Sequence, residues 1–390
     1  MPDRVSSSGR KRKTNHPSMR IGFDAKRAFF NFSGLGNYSR NTIRSIGTRF
    51  PENEYYLYIP RQNGRIRNGE FEKHTLVYPE SLLSRNFSWL WRSYLLGRKL
   101  GRDRIDLFHG LSNEIPFDLP KPGIRSVVTI HDLIYMRYPE WYNPIDRAIY
   151  IRKAKHAARR ADRVIAISEQ TASDILEFTG APAEKIDVVY QGCDPSFYSP
   201  LEEAQKSRIK EKYALPGDYL LYVGTIEPRK NLLKVVQALH VDSLDIPLIV
   251  IGRATPYIDR VRQFIREHSL ENVRFLKNVP NEDLPGIYQM AKVFLYPSLF
   301  EGFGIPILEA LASRTPVITS TGSCLAESGG KSSVYVNPGQ PGELAAAIRR
   351  VLDDSKLQDA MKREGYKHAL GFTEDRITDN IMRVYRKAMQ

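Results

Sequence analysis

The chain has 390 residues, of which 42% are hydrophobic and 11% aromatic, and its formal net charge is +14. At roughly 100–200 residues per domain, this length predicts two or three domains. Two cysteines, Cys193 and Cys324, are too few for a disulfide scaffold or a four-cysteine zinc site. The longest apolar runs fall far short of the ~20 residues that a membrane span requires. The composition is therefore typical of an ordinary globular protein.

Positive charge is concentrated in the first half of the chain. Residues 1–200 carry a net charge of +11 and residues 201–390 a net charge of +3. Residues 1–18 are polar and basic, and no apolar stretch of the kind found in a secretory signal follows them. We predict a disordered basic tail over 1–18, and an anionic partner for the first half or charge that only keeps it soluble.

Short β-branched runs alternate with longer helical patterns along the whole chain. The strands predicted in the first half are Arg20–Ala25, Tyr55–Ile59, Leu107–His109, Ser126–His131, Arg163–Ile167 and Ile186–Val189. Those predicted in the second half are Tyr219–Gly224, Leu248–Gly252, Val273–Leu276, Val293–Tyr296, Pro316–Thr319 and Ser333–Val336. Predicted helices include Leu232–Leu239, Ile305–Ala312 and Gly342–Leu352. Such βα units favour an α/β fold of two Rossmann-like domains facing across a cleft, with the boundary near Gly192–Pro216.

Two motifs in the first half follow predicted strands. The segment Gly34-Leu-Gly36 precedes a helix predicted to begin near Asn37, which suits either phosphate contact or a purely structural loop. It is not a dinucleotide fingerprint, because Ser39 stands at the position of the third glycine. His131 ends an apolar strand, where it could donate a hydrogen bond to a ligand or serve the structure alone. No helix carries a second ligand at metal-binding spacing, so no metal site is predicted.

In the second half, a loop after a strand contains Gly224 and then two adjacent cations, Arg229 and Lys230, just before a helix. A guanidinium fork beside an ammonium group suits a diphosphate. The alternative is a solvated basic pair.

The strongest pattern joins Glu301, in a glycine-rich turn, to Glu309, two turns into an otherwise apolar helix. A carboxylate in such a helix needs hydrogen-bond partners, and the hydroxyl groups of a ligand would serve. Alternatively, Glu309 is the buried partner of an arginine.

These motifs together resemble the family 4 retaining glycosyltransferases of the GT-B architecture, and among them the bacterial mannosyltransferases of cell-surface polysaccharide synthesis. The resemblance covers most of residues 20–385. It implies that 19–198 form an acceptor domain, that 199–373 form a nucleotide-sugar donor domain, and that a helix in 374–390 crosses back to the first domain.

The resemblance also implies roles for single residues. Arg229 and Lys230, near Gly224, would hold the donor diphosphate, and Glu309 would bind the ribose hydroxyls. Other members of the implied site are Glu301 with the backbone of Phe303 and Gly304 on the sugar, His131 facing the sugar across the cleft, and Gly36 close to the phosphates or acceptor.

The implied activity is retaining transfer of a hexose, with mannose favoured, to a saccharide or lipid-linked saccharide. GDP-mannose is the favoured donor and a UDP-sugar the alternative; no cofactor or metal is required, and the enzyme would be cytoplasmic. Two other classes remain open: a sugar-nucleotide epimerase of the same fold, and a basic nucleic-acid-binding protein, although no recognition motif supports specific nucleic-acid binding. Release of nucleoside diphosphate without inversion at C2 would separate a transferase from an epimerase.

An apolar stripe at helical spacing lies in the basic half. Its members are Phe87, Leu90, Trp91, Tyr94 and Leu95, and the cations around it are Arg85, Arg92, Arg98, Lys99, Arg102 and Arg104. A second basic helix is predicted with Arg147, Arg152, Lys153, Lys155, Arg159 and Arg160. Either the stripe packs on the core beneath a solvated basic face, or this surface contacts anionic lipid at the inner face of the plasma membrane.

Overall fold

The computed structural model describes residues 18–31, 34–62, 71–81 and 87–390. Nearly all of the predicted tail 1–18, and Arg85 of the predicted basic face, lie outside the described residues.

The described chain contains two parallel sheets. The strands of the first are β1 Arg20–Asp24, β2 Glu54–Tyr58, β3 Thr75–Val77, β4 Leu107–Gly110, β5 Arg125–Ile130, β6 Arg163–Ala166 and β7 Ile186–Val188. Those of the second are β8 Leu220–Val223, β9 Leu248–Ile251, β10 Val273–Leu276, β11 Val293–Tyr296, β12 Val317–Ser320 and β13 Val334–Val336. Their spatial orders are β3-β2-β1-β4-β5-β6-β7 and β10-β9-β8-β11-β12-β13. Both orders contain the doubly wound Rossmann arrangement, which confirms the predicted α/β fold.

Helices cover both faces of each sheet, as the continuous apolar strands require. The α-helices of the first half are Lys26–Phe30, Gly34–Arg49, Ser88–Leu90, Leu96–Arg102, Ile134–Arg137, Pro144–Arg160 and Glu169–Thr179, with a π-helical turn at Trp91–Leu95. Those that follow are Glu203–Lys212, Leu232–Val241, Ile258–Glu267, Leu284–Met290, Ile305–Ala312, Leu325–Gly329, Pro341–Asp353, Ser355–Ala369 and Glu374–Met389. Short 3₁₀ turns include Pro139–Trp141, Ala183–Lys185, Pro195–Tyr198, Pro228–Lys230, Asn281–Asp283 and Leu370–Phe372. Among the residues that the structure describes, no helix combines the length and apolar composition needed to cross a membrane.

Every predicted strand overlaps an observed one, whereas β3 is absent from the prediction. Two of the three residues in β3 are exposed, so it lacks the apolar run that marks the other strands. The first long helix begins at Gly34, three residues before the predicted start.

The C-terminal helix Glu374–Met389 packs on the first sheet. Its side chains Ile381 and Tyr385 belong to the same buried cluster as strand residues such as Ile21 and Leu57. The Tyr385 hydroxyl lies 2.6 Å from Nδ1 of His109, at the end of β4. The chain therefore ends on the half in which it began.

The predicted apolar stripe is only partly correct. Trp91 is buried, but Phe87 and Tyr94 are 48% and 38% exposed. The π-helical turn at Trp91–Leu95 adds a residue to the helical period, so Leu96 takes the core position that a regular helix would give to its neighbour.

The predicted basic face also needs correction, because several of its cations are paired. Arg92 is buried and forms ion pairs with Asp24 and Glu114, with 2.6 Å between Nη2 and the glutamate oxygen. Other paired members are Lys153 with Glu114, Lys99 with Asp103, and Arg147 with the carbonyl of Tyr135. A buried cation such as Arg92 needs partners of this kind, whereas Lys153, Lys99 and Arg147 are half-buried. These four side chains therefore contribute less to a solvated basic face than the sequence predicts.

Candidate active site

A cleft of about 900 Å³ lies between the carboxyl ends of the two sheets. This is where ligands bind in open α/β sheets. The second half lines it with the loops after β8 and β11. The first half contributes His131 after β5, Gln191 after β7, and one face of the helix Gly34–Arg49.

The loop with the two cations is shaped by Asn231. Its φ of +61° is left-handed, a conformation that asparagine tolerates better than most residues. Its side-chain amide donates to the carbonyls of Pro297 (3.1 Å) and Pro338 (2.8 Å). These bonds attach the 3₁₀ turn Pro228–Lys230 to the loops after β11 and β13, and thereby place both cations at the cleft.

Glu301 lies directly opposite these cations. Its Oε2 is 2.6 Å from Nη1 of Arg229 and its Oε1 is 3.3 Å from Nζ of Lys230. Hydroxyls of Tyr296 and Ser298 also donate to Oε1, at 3.0 and 2.9 Å. Burial alone would raise the pKa of Glu301, but Lys230 and Arg229 outweigh it and lower the pKa to about 2. This carboxylate is therefore charged at any physiological pH.

Two glycines follow Glu301, and the first is required by a close approach between the halves. A Cβ at Gly302 would lie 2.2 Å from the backbone carbonyl of His131. Phe303 and Gly304 line the same end of the cleft, where the helix Ile305–Ala312 begins. The predicted sugar-binding segment thus contacts both halves of the molecule.

Glu309 lines the cleft from inside that helix and has a very different environment. Its Oε2 accepts a 3.0 Å hydrogen bond from the Tyr288 hydroxyl, and the described residues form no ion pair with it. The alternative that Glu309 is the partner of a buried arginine is therefore wrong for the described residues. Burial raises the pKa of Glu309 to about 7, and the bond from Tyr288 only partly opposes this.

The His131 side chain lines the cleft with both ring nitrogens occupied. Nε2 lies 2.8 Å from the carbonyl oxygen of Leu111, and Nδ1 lies 2.9 Å from the side-chain amide of Gln191. A carbonyl oxygen can only accept, so Nε2 carries the proton and Nδ1 accepts from Gln191. Burial lowers the pKa of His131 to about 4, so the ring is neutral.

Gly36 does not line the cleft. A Cβ there would lie 1.7 Å from the backbone carbonyl of Asn31, so glycine allows the helix to pack closely on the preceding segment. Its neighbours Gly34, Leu35 and Asn37 do line the cleft. Gly224 also lines it, beside Lys230.

Sequence reasoning missed Gln191, Tyr288 and Tyr296, the partners of His131, Glu309 and Glu301. Each is far from its partner's motif or inside an apolar strand or helix, so no local pattern marks it. The functional residues therefore depend on long-range contacts that only the fold supplies.

The family model "Glycosyltransferase Family 4" matches residues 33–197, and the model "Glycosyl transferases group 1" matches residues 203–368. The chain is 29% identical over 394 residues to O-antigen chain mannosyltransferase B of Escherichia coli, covering 94% of this chain and 100% of the relative. It is 28% identical over 278 residues to the E. coli serotype-specific mannosyltransferase WbdA, covering 68% of this chain but only 34% of that relative.

Among solved structures, Anabaena HepE in complex with UDP and glucose has a TM-score of 0.74 at 19% identity, covering 95% of this chain and 100% of HepE. This likeness shows the GT-B fold. The two family models together span most of the chain, one on each sheet. The protein therefore belongs to the glycosyltransferases that join a family 4 half to a group 1 half.

Proposed function

We propose that the protein is a retaining hexosyltransferase that moves mannose from GDP-mannose to a saccharide or lipid-linked saccharide in surface polysaccharide synthesis. The observation that supports this most is the cluster of Arg229, Lys230 and Glu301 at a cleft that also holds Glu309. In this proposal 19–198 bind the acceptor and 199–373 bind the donor. The mannosyltransferase relatives favour mannose, and the UDP in HepE keeps a UDP-sugar as the alternative donor. The relatives named above are mannosyltransferases, which favours transfer over epimerisation or nucleic-acid binding.

In the proposed reaction, Arg229 and Lys230 would stabilise the negative charge that develops on the leaving group. Glycosyl transfer develops positive charge on the sugar and negative charge on the departing diphosphate. Arg229 donates to the carbonyl of Phe300 and Lys230 to the hydroxyl of Tyr296, so both cations are held at the cleft, where they would stabilise that charge. The donor diphosphate would replace Glu301 as the ion-pair partner of both cations. The carboxylate of Glu301 would then be free to accept hydrogen bonds from sugar hydroxyls.

The remaining groups would orient the ligand. Glu309 lines the cleft and would accept from ribose hydroxyls, and the backbone at Phe303 and Gly304 would contact the sugar. His131, neutral and fixed by Gln191, would present its ring to the sugar and not act as an acid. Retention would follow if the acceptor attacked on the face of the leaving group, with a phosphate oxygen taking its proton.

A thermal-shift screen of nucleotide sugars, followed by assay of nucleoside diphosphate release with and without saccharide acceptor, tests the proposal. A true donor raises Tm by mass action. GDP-mannose should give the largest shift and acceptor-dependent release of GDP. A larger shift with a UDP-sugar would change the donor, and no shift with any nucleotide sugar would contradict the function.

We further propose that the first half contacts anionic lipid from the cytoplasm, at the inner face of the plasma membrane. Large apolar side chains are exposed on this half: Phe87 (48%), Trp89 (61%), Ile145 (73%) and Ile149 (48%). Phe117 contacts both segments that carry these side chains, residues 87–102 and the helix Pro144–Arg160. Its ring centroid lies 5.1 Å from that of Tyr94, on which it stacks, and 4.2 Å from that of His156.

Cations flank these side chains. Arg98 lies on the helix Leu96–Arg102, and Arg152, Lys155 and Arg160 lie on the helix Pro144–Arg160; Lys155 is half-buried and the other three are exposed. The guanidinium of Arg152 lies 5.5 Å from the Phe117 ring centroid. Each cation near an anionic bilayer contributes ~1 kcal/mol of attraction, which salt weakens.

Co-sedimentation with liposomes tests this contact. Binding should require anionic lipid, fall steeply with salt, and weaken in the triple variant Arg152→Ser, Lys155→Ser and Arg160→Ser. The matched control removes three exposed arginines from the second half: Arg260→Ser, Arg262→Ser and Arg266→Ser. Equal binding to neutral liposomes, or equal loss in both variants, would contradict a specific lipid face.

A further inference from the structure

At a distance from Arg229 and Lys230, a carboxylate of the second half contacts the N-terminus of a helix in the first half. Glu327, in the second half, accepts at Oε2 from the backbone N–H of Glu169 (2.7 Å) and at Oε1 from that of Gln170 (3.1 Å). Both donors belong to the first turn of the helix Glu169–Thr179 in the first half. The first N–H groups of a helix have no partner within it, and a carboxylate there also faces the positive end of the helix dipole.

The same helix start contacts the turn that carries Glu301. Ser168, the N-cap of the helix, is fully buried and donates from Oγ to the carbonyl of Gly302 at 2.7 Å. The Thr171 hydroxyl lies 3.3 Å from the same oxygen. One short segment of the first half therefore links Glu327 to the residue next to Glu301.

The two halves are closely packed at this contact. The Gly302 backbone is so close to the His131 carbonyl that even a Cβ would not fit. If the helix start moves away from Glu327, Ser168 moves with it, and the Gly302 carbonyl loses its strongest partner. The position of Glu301 in the cleft then changes as well.

We infer that Glu327 is a positioning residue for the donor sugar: it caps the helix Glu169–Thr179, holds Ser168 on Gly302, and so fixes Glu301 between the two halves. This inference rests on the proposed function, in which Glu301 contacts the sugar. Nucleoside diphosphate contacts would come from Arg229, Lys230 and Glu309, all in the second half. Loss of Glu327 should therefore weaken the contacts to the sugar and should not weaken nucleotide binding.

Glu327→Gln tests whether Glu327 supports sugar binding separately from nucleotide binding. Glutamine keeps the size of the side chain but loses the charge and one of the two acceptor oxygens. Three quantities are measured: kcat for transfer, and the Kd values of the nucleotide sugar and of the nucleoside diphosphate by calorimetry. We expect kcat to fall at least tenfold and the nucleotide sugar to bind several-fold more weakly. The Kd of the nucleoside diphosphate should stay the same or fall, because a displaced Glu301 competes less for Arg229 and Lys230.

The matched control is Glu343→Gln. Glu343 also accepts a backbone N–H, from Asn337 at 3.0 Å, but both residues are in the second half and away from the cleft. This variant should behave as wild type in all three measurements. Ser168→Ala provides a second test, and its effect should not add to that of Glu327→Gln, because both act through Gly302.

If Glu327 served folding alone, Glu327→Gln would lower Tm and the fraction of protein able to bind either ligand. The ratio of the Kd values of the nucleotide sugar and the nucleoside diphosphate would then equal the wild-type ratio. That result, or wild-type kcat in Glu327→Gln and Ser168→Ala, overturns the inference while the proposed function stands. If the wild type binds no nucleotide sugar, both the inference and the proposed function fall. If it binds sugar but never transfers it, only the transferase assignment fails, because the Kd ratio still tests Glu327.

Discussion

Glu301 and Glu309 are eight residues apart and line the same cleft, yet their environments are opposite. Glu301 forms ion pairs with Arg229 and Lys230, and its pKa is lowered to about 2. Glu309 has the Tyr288 hydroxyl as its partner, and burial raises its pKa to about 7. Burial opposes ionisation at both sites, so the neighbouring cations decide the difference. The charged region around Glu301 can exchange one anion for another, whereas the region around Glu309 suits hydroxyl groups.

The largest expected effect comes from removing the cations that create this difference. Arg229→Ala and Lys230→Ala should each lower kcat by about 10²-fold or more, because each loses a contact that strengthens as the diphosphate departs. Steady-state transfer assays, with circular dichroism to verify folding, measure it. Lys234→Ala, which removes a cation outside the cleft on the next helix, should retain wild-type kcat. Near-wild-type turnover in both cleft variants would exclude these cations from the chemistry.

Glu301→Gln should separate transfer from nucleotide binding. The substitution removes the carboxylate with which a diphosphate competes, so the nucleoside diphosphate should bind more tightly. Transfer should nevertheless slow by about 10–100-fold, since the sugar loses a charged acceptor for its hydroxyls. Calorimetry and transfer assays on the same preparation measure the two effects. Weaker nucleotide binding would show that Glu301 supports the phosphate site and does not compete with it.

Glu309→Ala should instead weaken nucleoside diphosphate binding by about 1–3 kcal/mol, through the loss of hydrogen bonds to ribose. If the ionised carboxylate is the form that binds, wild-type affinity should rise as pH increases through about 7. Glu309→Gln serves as the control for ionisation of the ligand itself, and its affinity should lack that part of the pH dependence. Calorimetric titrations from pH 6 to pH 8.5 measure this, and identical profiles in both proteins would contradict the proposed contact.

The fold could be predicted from sequence because buried parallel strands are apolar throughout, and each such run in the chain marks a strand. The short exposed strand Thr75–Val77 has no such signal. Likewise, regular helical spacing predicts Arg92 among solvated cations. Arg92 is instead buried beside Asp24 by the π-helical turn, and no local sequence pattern marks that turn.

In the candidate site, Arg229, Lys230, Glu301 and Glu309 could be predicted because strand ends and helix starts carry them. Their partners could not. The bond from the Gln191 amide to His131 spans 60 residues, and the bond from the Glu169 backbone N–H to Glu327 spans 158. The first pair joins two loops of the first half and the second pair joins the two halves, and nothing in a local segment encodes either contact. The opposite pKa directions of the two glutamates likewise depend on residues distant in sequence, namely Arg229 and Lys230 for Glu301 and Tyr288 for Glu309.

The smallest expected effect concerns stability and gives a test that needs no ligand. The pKa of Glu309 is higher in the folded protein than its ordinary value of 4.5. Protonation thus favours folding: the contribution is fully present below pH 4.5 and is lost as pH rises through about 7. Glu309→Gln should therefore leave Tm unchanged near pH 4.5 but raise it by a few degrees at pH 8, for a gain of about 1–3 kcal/mol. Glu301→Gln is the contrasting variant, because it leaves Arg229 and Lys230 without their buried anion and should lower Tm at pH 8. Stabilisation by both variants would mean that Glu301 and Glu309 have the same electrostatic environment, and the contrast between them would be wrong.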